Sequence, residues 1–121
     1  MIVIGENLNS SNKEVRNALD ARDAEFVAGL AVAQEANGAE YLDINTAMCS
    51  NEAETLLWAA GVVTKSVKLP LMVDSPNANA ICFLYESISI LSFSFFNLSI
   101  HGIFSSIIRL SSYFTINTKS V

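Results

Sequence analysis

The feature that most constrains the fold is an alternation of short apolar runs and longer amphipathic segments over the first eighty residues. Short runs at 1–4, 41–45 and 69–74 alternate with segments in which apolar side chains recur every three or four positions. An order of strand, helix, strand, helix, strand is typical of parallel sheets with crossover helices. We therefore predict an α/β fold, either an open doubly wound sheet or a closed barrel.

The three strands are predicted from different signals. Met1 to Ile4 is a β-branched apolar run that ends at Gly5, as expected of a buried strand. Tyr41 to Asn45 alternates apolar and polar residues, which is the period of a half-buried strand. Leu69 to Asp74 is mostly apolar, with a proline that is tolerated near its beginning.

Capping residues mark the helices. Ser11 with Glu14, and Asn51 with Glu54, have the capping-box spacing, so each pair is expected to open a helix. Another helix is expected to begin at Asp23 and to stop at Asn37-Gly38. The apolar residues at helical spacing in these three segments are Val15 and Leu19; Phe26, Leu30 and Ala33; and Leu56, Leu57, Ala60 and Val63.

Composition divides the chain near residue 80. The formal net charge of −5 argues against a nucleic-acid partner, because little here would neutralise a phosphate backbone. Residues 81–121 contain only three charged residues and are rich in serine, isoleucine and phenylalanine. We therefore treat residues 1–80 as the folded part and residues 81–121 as an atypical hydrophobic tail.

The tail does not continue the pattern of the first eighty residues. Its alternating runs at 87–90 and 92–95 have opposite phase, so they cannot keep one apolar face in a single regular strand. The uncharged stretch between Glu86 and Arg109 is interrupted by serines and other polar residues, so a membrane anchor is not expected. A frameshift or a truncated gene copy would produce such a break, and the nucleotides after codon 80 test that hypothesis.

Polar side chains cluster at the ends of the predicted strands, where parallel α/β folds build their sites. They are Glu6, Asn7 and Asn9; Asp43 and Asn45; and Asp74, Ser75 and Asn77. An ionised aspartate can accept two parallel hydrogen bonds from an amino-pyrimidine, much as it does from a guanidinium. The arrangement favours binding of a flat heterocycle over nucleophilic catalysis.

Several other kinds of site have no support in the sequence. Residues 1–80 contain no histidine, no nucleophile-elbow serine and no glycine-rich phosphate-binding motif. Cys49 and Cys82 are not in a C-x-x-C pair or beside a histidine, so no metal or redox motif is predicted. The first residues lack the basic start and long apolar core of a signal peptide, and we expect a cytoplasmic protein.

Several short motifs resemble one enzyme family in their order and spacing. Residues 2–9 resemble the opening of the methyltetrahydrofolate:corrinoid/iron–sulfur protein methyltransferases, and Leu71–Asn77 carries that family's DSPN sequence. The wider relatives are the pterin-binding domains of methionine synthase and dihydropteroate synthase. Further segments that follow the family in order are Arg22-Asp23, Gln34–Ala39, Leu42–Asn45 and Glu54–Trp58.

The resemblance implies a (β/α)₈ TIM barrel that holds a reduced pterin at its carboxyl-end face. That family passes the N5-methyl group of methyltetrahydrofolate to the cobalt of a corrinoid (cobalamin) on a partner protein. Asp74 matches the aspartate that binds the amino-pyrimidine edge of the pterin. Asn9, Asp43 and Asn45 match further polar residues of the same pocket. The resemblance implies no metal and no covalently bound cofactor on this chain.

Three βα units are too few to close an eight-stranded barrel. The family also takes an asparagine after strand four and an aspartate from a later strand, and neither has a match in residues 81–121. We therefore expect a partial barrel that is inactive alone, with an unpaired edge that favours association into a homo-oligomer. The alternatives are a dihydropteroate synthase-like fragment, a non-catalytic interaction remnant and a membrane-attached protein.

Overall fold

A computed structural model describes residues 1–94 and confirms the α/β class. Within this range the strands pair in the order β1-β2-β3, all parallel, in one three-stranded sheet. The elements in chain order are β1 (Ile4–Asn9), α1 (Lys13–Asp20), α2 (Ala24–Ala36), β2 (Tyr41–Asn45), α3 (Glu52–Ser66), β3 (Leu71–Val73) and α4 (Ala78–Ser94).

The central strand β2 has one covered face and one half-open face. Leu42 and Ile44 are fully buried, whereas Tyr41, Asp43 and Asn45 are half-buried. This is the alternation that the sequence predicts, since successive side chains of a strand point to opposite sides of the sheet. The covered face packs into a core shared with the helices, whose largest fully buried members are Leu8, Leu19, Leu42, Ile44 and Leu56.

Strand β1 differs from the predicted strand at both ends. The run 1–4 was expected to be a buried strand that ends at Gly5, but residues 1–3 lie outside any strand and are exposed. The strand instead runs through Glu6 and Asn7 to Asn9, because main-chain pairing with β2 does not depend on side-chain type. These three polar residues therefore lie within the strand and not after it.

A β-bulge between Gly5 and Leu8 accommodates the polar residues of β1. The buried Gln34 side chain of α2 holds it, since its Oε1 atom accepts the backbone N–H of Asn7 at 2.9 Å. A Cβ atom on Gly5 would lie 2.6 Å from that oxygen and 2.9 Å from a methyl carbon of Leu42. The close approach of these two side chains favours glycine at this position, because an added Cβ would have to displace the Gln34 carboxamide that is bonded to Asn7.

Two of the three predicted helix caps are confirmed. Asp23 caps α2 and Asn51 caps α3, each through a side-chain oxygen that accepts a backbone N–H of the first turn. The cap of α1 is Asn12 and not Ser11, because the Asn12 carboxamide accepts the N–H groups of both Glu14 and Val15. Ser11 instead donates its own backbone N–H to the side chain of the preceding strand end.

Helix α2 buries a face one position away from the predicted apolar series. Val27, Ala31 and Gln34 are buried, whereas Phe26 and Leu30 are half-buried and Ala33 is exposed. Apolar residues occur on several sides of this helix, so their spacing alone does not select one face.

The predicted stop of α2 is confirmed. Gly38 has a φ of +92°, and Ala39 donates its N–H to the carbonyl of Gln34 at 3.0 Å. Gly38 itself donates to the carbonyl of Glu35 at 3.0 Å. This pair of bonds forms a Schellman motif, which satisfies carbonyls at the end of the helix.

Helix α4 crosses the compositional break at residue 80. Ala80 and Leu84 are buried in the core on either side of the break, and α4 packs against α3. No helix within residues 1–94 is long and apolar enough to cross a membrane. The alternating run 92–95 and most of the uncharged stretch reach beyond the described residues, and the origin of segment 81–121 stays a hypothesis.

We predict that Gly5→Ala destabilises the fold, whereas Gly29→Ala does not. The added methyl group at residue 5 meets Gln34 and Leu42, and overpacking of this kind costs about 1–3 kcal/mol. At Gly29 of α2 nothing lies within 4 Å, so alanine gains helix propensity and stability is unchanged or higher. Urea unfolding of both full-length variants measures the difference, and an equal effect at the two positions would contradict the role of the Gly5 contact.

Candidate functional site

The carboxyl end of the sheet brings together polar side chains from β2 and from the loop after β3. The backbone N–H of Asp74 donates to the Ile44 carbonyl at 3.2 Å, which extends the β2–β3 pairing by one residue. Beside it, the Asn45 Nδ2 atom donates to the Asp74 carboxylate at 3.2 Å. Asp74 is exposed, so its remaining acceptor positions face solvent. The expected juxtaposition of these strand ends is therefore observed.

The orientation of the Asn45 carboxamide is fixed at both ends. Its Oδ1 atom accepts the backbone N–H of Ala47 at 3.0 Å, which leaves the amide nitrogen directed at Asp74. Its backbone carbonyl accepts the N–H of Ser10, where the chain leaves β1. Asn45 thus links the ends of all three strands and supplies a donor to an otherwise acidic edge.

Asp43 lies on the half-open face of β2, between acidic neighbours. Partial burial raises its pKa to about 6, and the negative charges of Asp74 and Glu6 contribute in the same direction. A hydrogen bond from the backbone of Ile44 opposes the rise without cancelling it. Asp74 and Glu6 therefore both interact electrostatically with Asp43, and sequence reasoning had assigned no role to Glu6.

Asn9 lies at the same edge but has a local structural partner. It is the register partner of Asn45 in the β1–β2 pair and is half-buried. Its Oδ1 atom accepts the backbone N–H of Ser11 at 2.9 Å, which forms an Asx turn between β1 and α1. The carboxamide nitrogen remains the group through which Asn9 could contact a ligand.

The loop after β3 is tied to α3 by a carboxylate that sequence reasoning missed. Glu52, the first residue of α3, accepts hydrogen bonds from the Ser75 hydroxyl and from the Asn77 carboxamide, the latter at 3.2 Å. The Ser75 hydroxyl oxygen in turn accepts the backbone N–H of Asn77 at 3.0 Å. In the sequence, Glu52 looks only like a favourable charge in the first turn of a helix, because its partners lie 23 and 25 residues away.

The edge can act as a hydrogen-bond acceptor for a ligand that presents several N–H groups. Three carboxylates and two carboxamides from β1, β2 and the loop after β3 contribute to it. In the described part of the chain, residues 1–94, no group of three His, Cys, Asp or Glu residues is arranged to hold a metal ion.

Cys49, Cys82 and Trp58 are not among the residues of this edge. Cys49 and Cys82 are free thiols, and burial beside Asp20 raises the pKa of Cys49 to about 11. Trp58 packs partly against the core, and the Arg22 guanidinium lies 5.2 Å from its ring centroid. A cation–π contact accounts for Arg22 and Trp58, Cys49 is a half-buried thiol packed against the core, and Cys82 is exposed.

We predict that Asp43→Asn raises stability at pH 7 and has little effect near pH 3.5. Folding raises the pKa of Asp43, so the protonated carboxyl stabilises the folded state. This contribution to stability is fully present below the ordinary pKa of 3.8 and is lost as the pH rises through about 6. The expected gain at pH 7 is about 1 kcal/mol after allowance for solvent screening of a half-exposed group.

Urea unfolding at the two pH values measures this effect, with the exposed Glu35→Gln on α2 as the matched loss of a carboxylate. An equal gain in the free energy of unfolding for Asp43→Asn at both pH values, or an equal gain for Glu35→Gln, would contradict an energetic cost of the Asp43 charge in the folded state.

Comparison with known proteins shows similarity to a methyltransferase over part of the chain. No family model matches the chain. Over 78 residues, which are 64% of its length, the chain is 37% identical to the methylcorrinoid:tetrahydrofolate methyltransferase of Eubacterium limosum. Those residues span 29% of that protein, so the chain matches less than a third of its relative. The match supports the resemblance to methyltransferases over this part of the chain.

Proposed function

We propose that residues 1–80 form one side of the pterin-binding site of a corrinoid-dependent methyltransferase. The observation that carries the proposal is the placement of Asp74 beside Asn45 and Asp43 at the carboxyl end of three parallel strands. The relative from Eubacterium limosum, whose name includes tetrahydrofolate, gives independent support for a folate substrate.

In this proposal Asp74 recognises the amino-pyrimidine edge of the pterin. An ionised carboxylate accepts two parallel hydrogen bonds from the exocyclic amino group and the adjacent ring N–H, and charge-assisted bonds of this kind are strong. Asn45 holds one carboxylate oxygen by donating to it, which orients the group before the ligand binds. Asp43 and Asn9 flank this pair and complete the polar lining from the neighbouring strands.

The proposed chemistry is methyl transfer between a folate and a corrinoid carried by a partner protein. The name of the relative puts methylcorrinoid first and tetrahydrofolate second, the reverse of the direction implied by the resemblance alone. A pterin site must hold both tetrahydrofolate and its methylated form in either direction. We therefore propose that the site binds both forms. The direction of methyl transfer then depends on the chemistry of the cobalt partner.

One face of the sheet is covered by helices and the other is half-open, which favours a segment of a barrel over an open doubly wound sheet. Leu42 and Ile44 of β2 face the helices, while Asp43 and Asn45 lie on the half-open side, which corresponds to the inner face of a (β/α)₈ barrel. The chain matches under a third of its relative, and the resemblance takes further groups from later strands. We propose that the chain binds the pterin without completing methyl transfer by itself.

We predict that the full chain binds tetrahydrofolate and that Asp74→Asn weakens binding about tenfold or more. The substitution replaces a charged acceptor with an amide whose nitrogen opposes the ligand's donors, and one charge-assisted hydrogen bond is worth that order of affinity. Titration calorimetry measures the affinity, with the exposed Glu25→Gln on α2 as the matched control.

p-Aminobenzoylglutamate, which lacks the pterin, serves as the control ligand and should not compete. No binding by the unaltered chain, or equal binding by Asp74→Asn, would contradict the proposal.

A further inference from the structure

Glu52 lies between two loops of the candidate site and has no role in the proposed recognition of the pterin. It is half-buried at the first position of α3, directly after the Asn51 cap. Its carboxylate points across to the loop after β3 and accepts hydrogen bonds from Ser75 and Asn77. Both oxygens are therefore used, one for each partner.

The contacts of Glu52 belong to a continuous set that fixes the loop on both sides. Ser75 and Asn77 are also bonded to each other, through the Asn77 N–H and the serine hydroxyl oxygen. The Asn77 Oδ1 atom then accepts the N–H of Asn79 at 3.1 Å, at the start of α4. One carboxylate thus holds the short segment between Asp74 and α4 at two points.

We propose that Glu52 is the positioning residue that holds the loop carrying Asp74, so that Asp74 stays beside Asn45 and Asp43. Asp74 has a single side-chain bond within the described residues, to Asn45. Its direction therefore depends on the backbone on either side of it. On the β3 side the sheet fixes that backbone through the Ile44 carbonyl, and on the other side Ser75 and Glu52 fix it.

This inference rests on the proposed function for its role in pterin binding, but its structural consequence is measurable without a ligand. Asp74 is close enough to raise the pKa of Asp43, and the other charge that does so is Glu6 on β1. If loss of Glu52 releases Asp74, the pKa of Asp43 falls part of the way towards its ordinary value, because the contributions of partial burial and of Glu6 remain.

The experiment compares Glu52→Ala, Glu52→Gln and Glu54→Ala in the full chain. Glu54 is the other acidic residue in the first turn of α3, and it is exposed, so its removal matches the loss of a favourable charge at the helix start. Carbon-detected NMR titration of the Asp43 carboxyl group gives its pKa, and calorimetry gives the affinity for tetrahydrofolate.

We expect Glu52→Ala to lower the pKa of Asp43 and to weaken tetrahydrofolate binding about tenfold, the order expected for a lost bond to a charged group. Glu52→Gln keeps one acceptor and should show a smaller change in both. Glu54→Ala should change neither the pKa nor the affinity. If Glu52→Ala does not fold, Glu52→Gln decides the matter alone.

An unchanged pKa of Asp43 in the Glu52 variants, or the same shift in Glu54→Ala, would overturn the positioning role. Failure of the unaltered chain to bind tetrahydrofolate, together with a lowered pKa in Glu52→Ala, would remove the proposed function and keep the positioning role. Binding that persists at full strength in Glu52→Ala with an unchanged pKa of Asp43 would remove the positioning role and keep the proposed function.

Discussion

Parallel pairing of β2 with β3 is the constraint on which the candidate site depends. Parallel strands run in the same direction, so their carboxyl ends meet at one edge, and residues 29 positions apart in sequence come within hydrogen-bond distance. The bond from the Asp74 backbone to the Ile44 carbonyl carries the pairing one residue past β3. The side chains of Asn45 and Asp74 then meet because their backbones are already aligned.

The acidic edge costs the fold some stability, and the structure offsets part of it. Partial burial raises the pKa of Asp43, and the negative charges of Asp74 and Glu6 raise it further. The Asn45 amide donates to Asp74, and Glu52 is occupied by two donors from the loop. Excess acceptors at a strand edge suit a ligand rich in N–H donors, which supports our proposal of a pterin.

Local sequence signals predicted the elements that depend on local chemistry. The alternation of Tyr41–Asn45 and the caps at Asp23 and Asn51 act over a few residues, and their predictions are confirmed. The bounds of β1 were missed because a neighbouring strand extends it through polar residues. Gln34 and Glu52 were missed for a similar reason, since their partners lie more than 20 residues away. The roles of the candidate site residues in pterin binding stay a prediction.

We propose that the ends of β2 and β3 recognise the pterin together. Amide NMR of the full chain during titration with tetrahydrofolate tests it most directly, because each backbone N–H reports on its own surroundings. We expect shifts concentrated at residues 43–47 and at Asp74, Ser75 and Asn77, with little change at Gly38 and Glu40, which precede β2 at the opposite edge of the sheet. Shifts concentrated on the outer side of α2, or no saturable shifts at all, would contradict it.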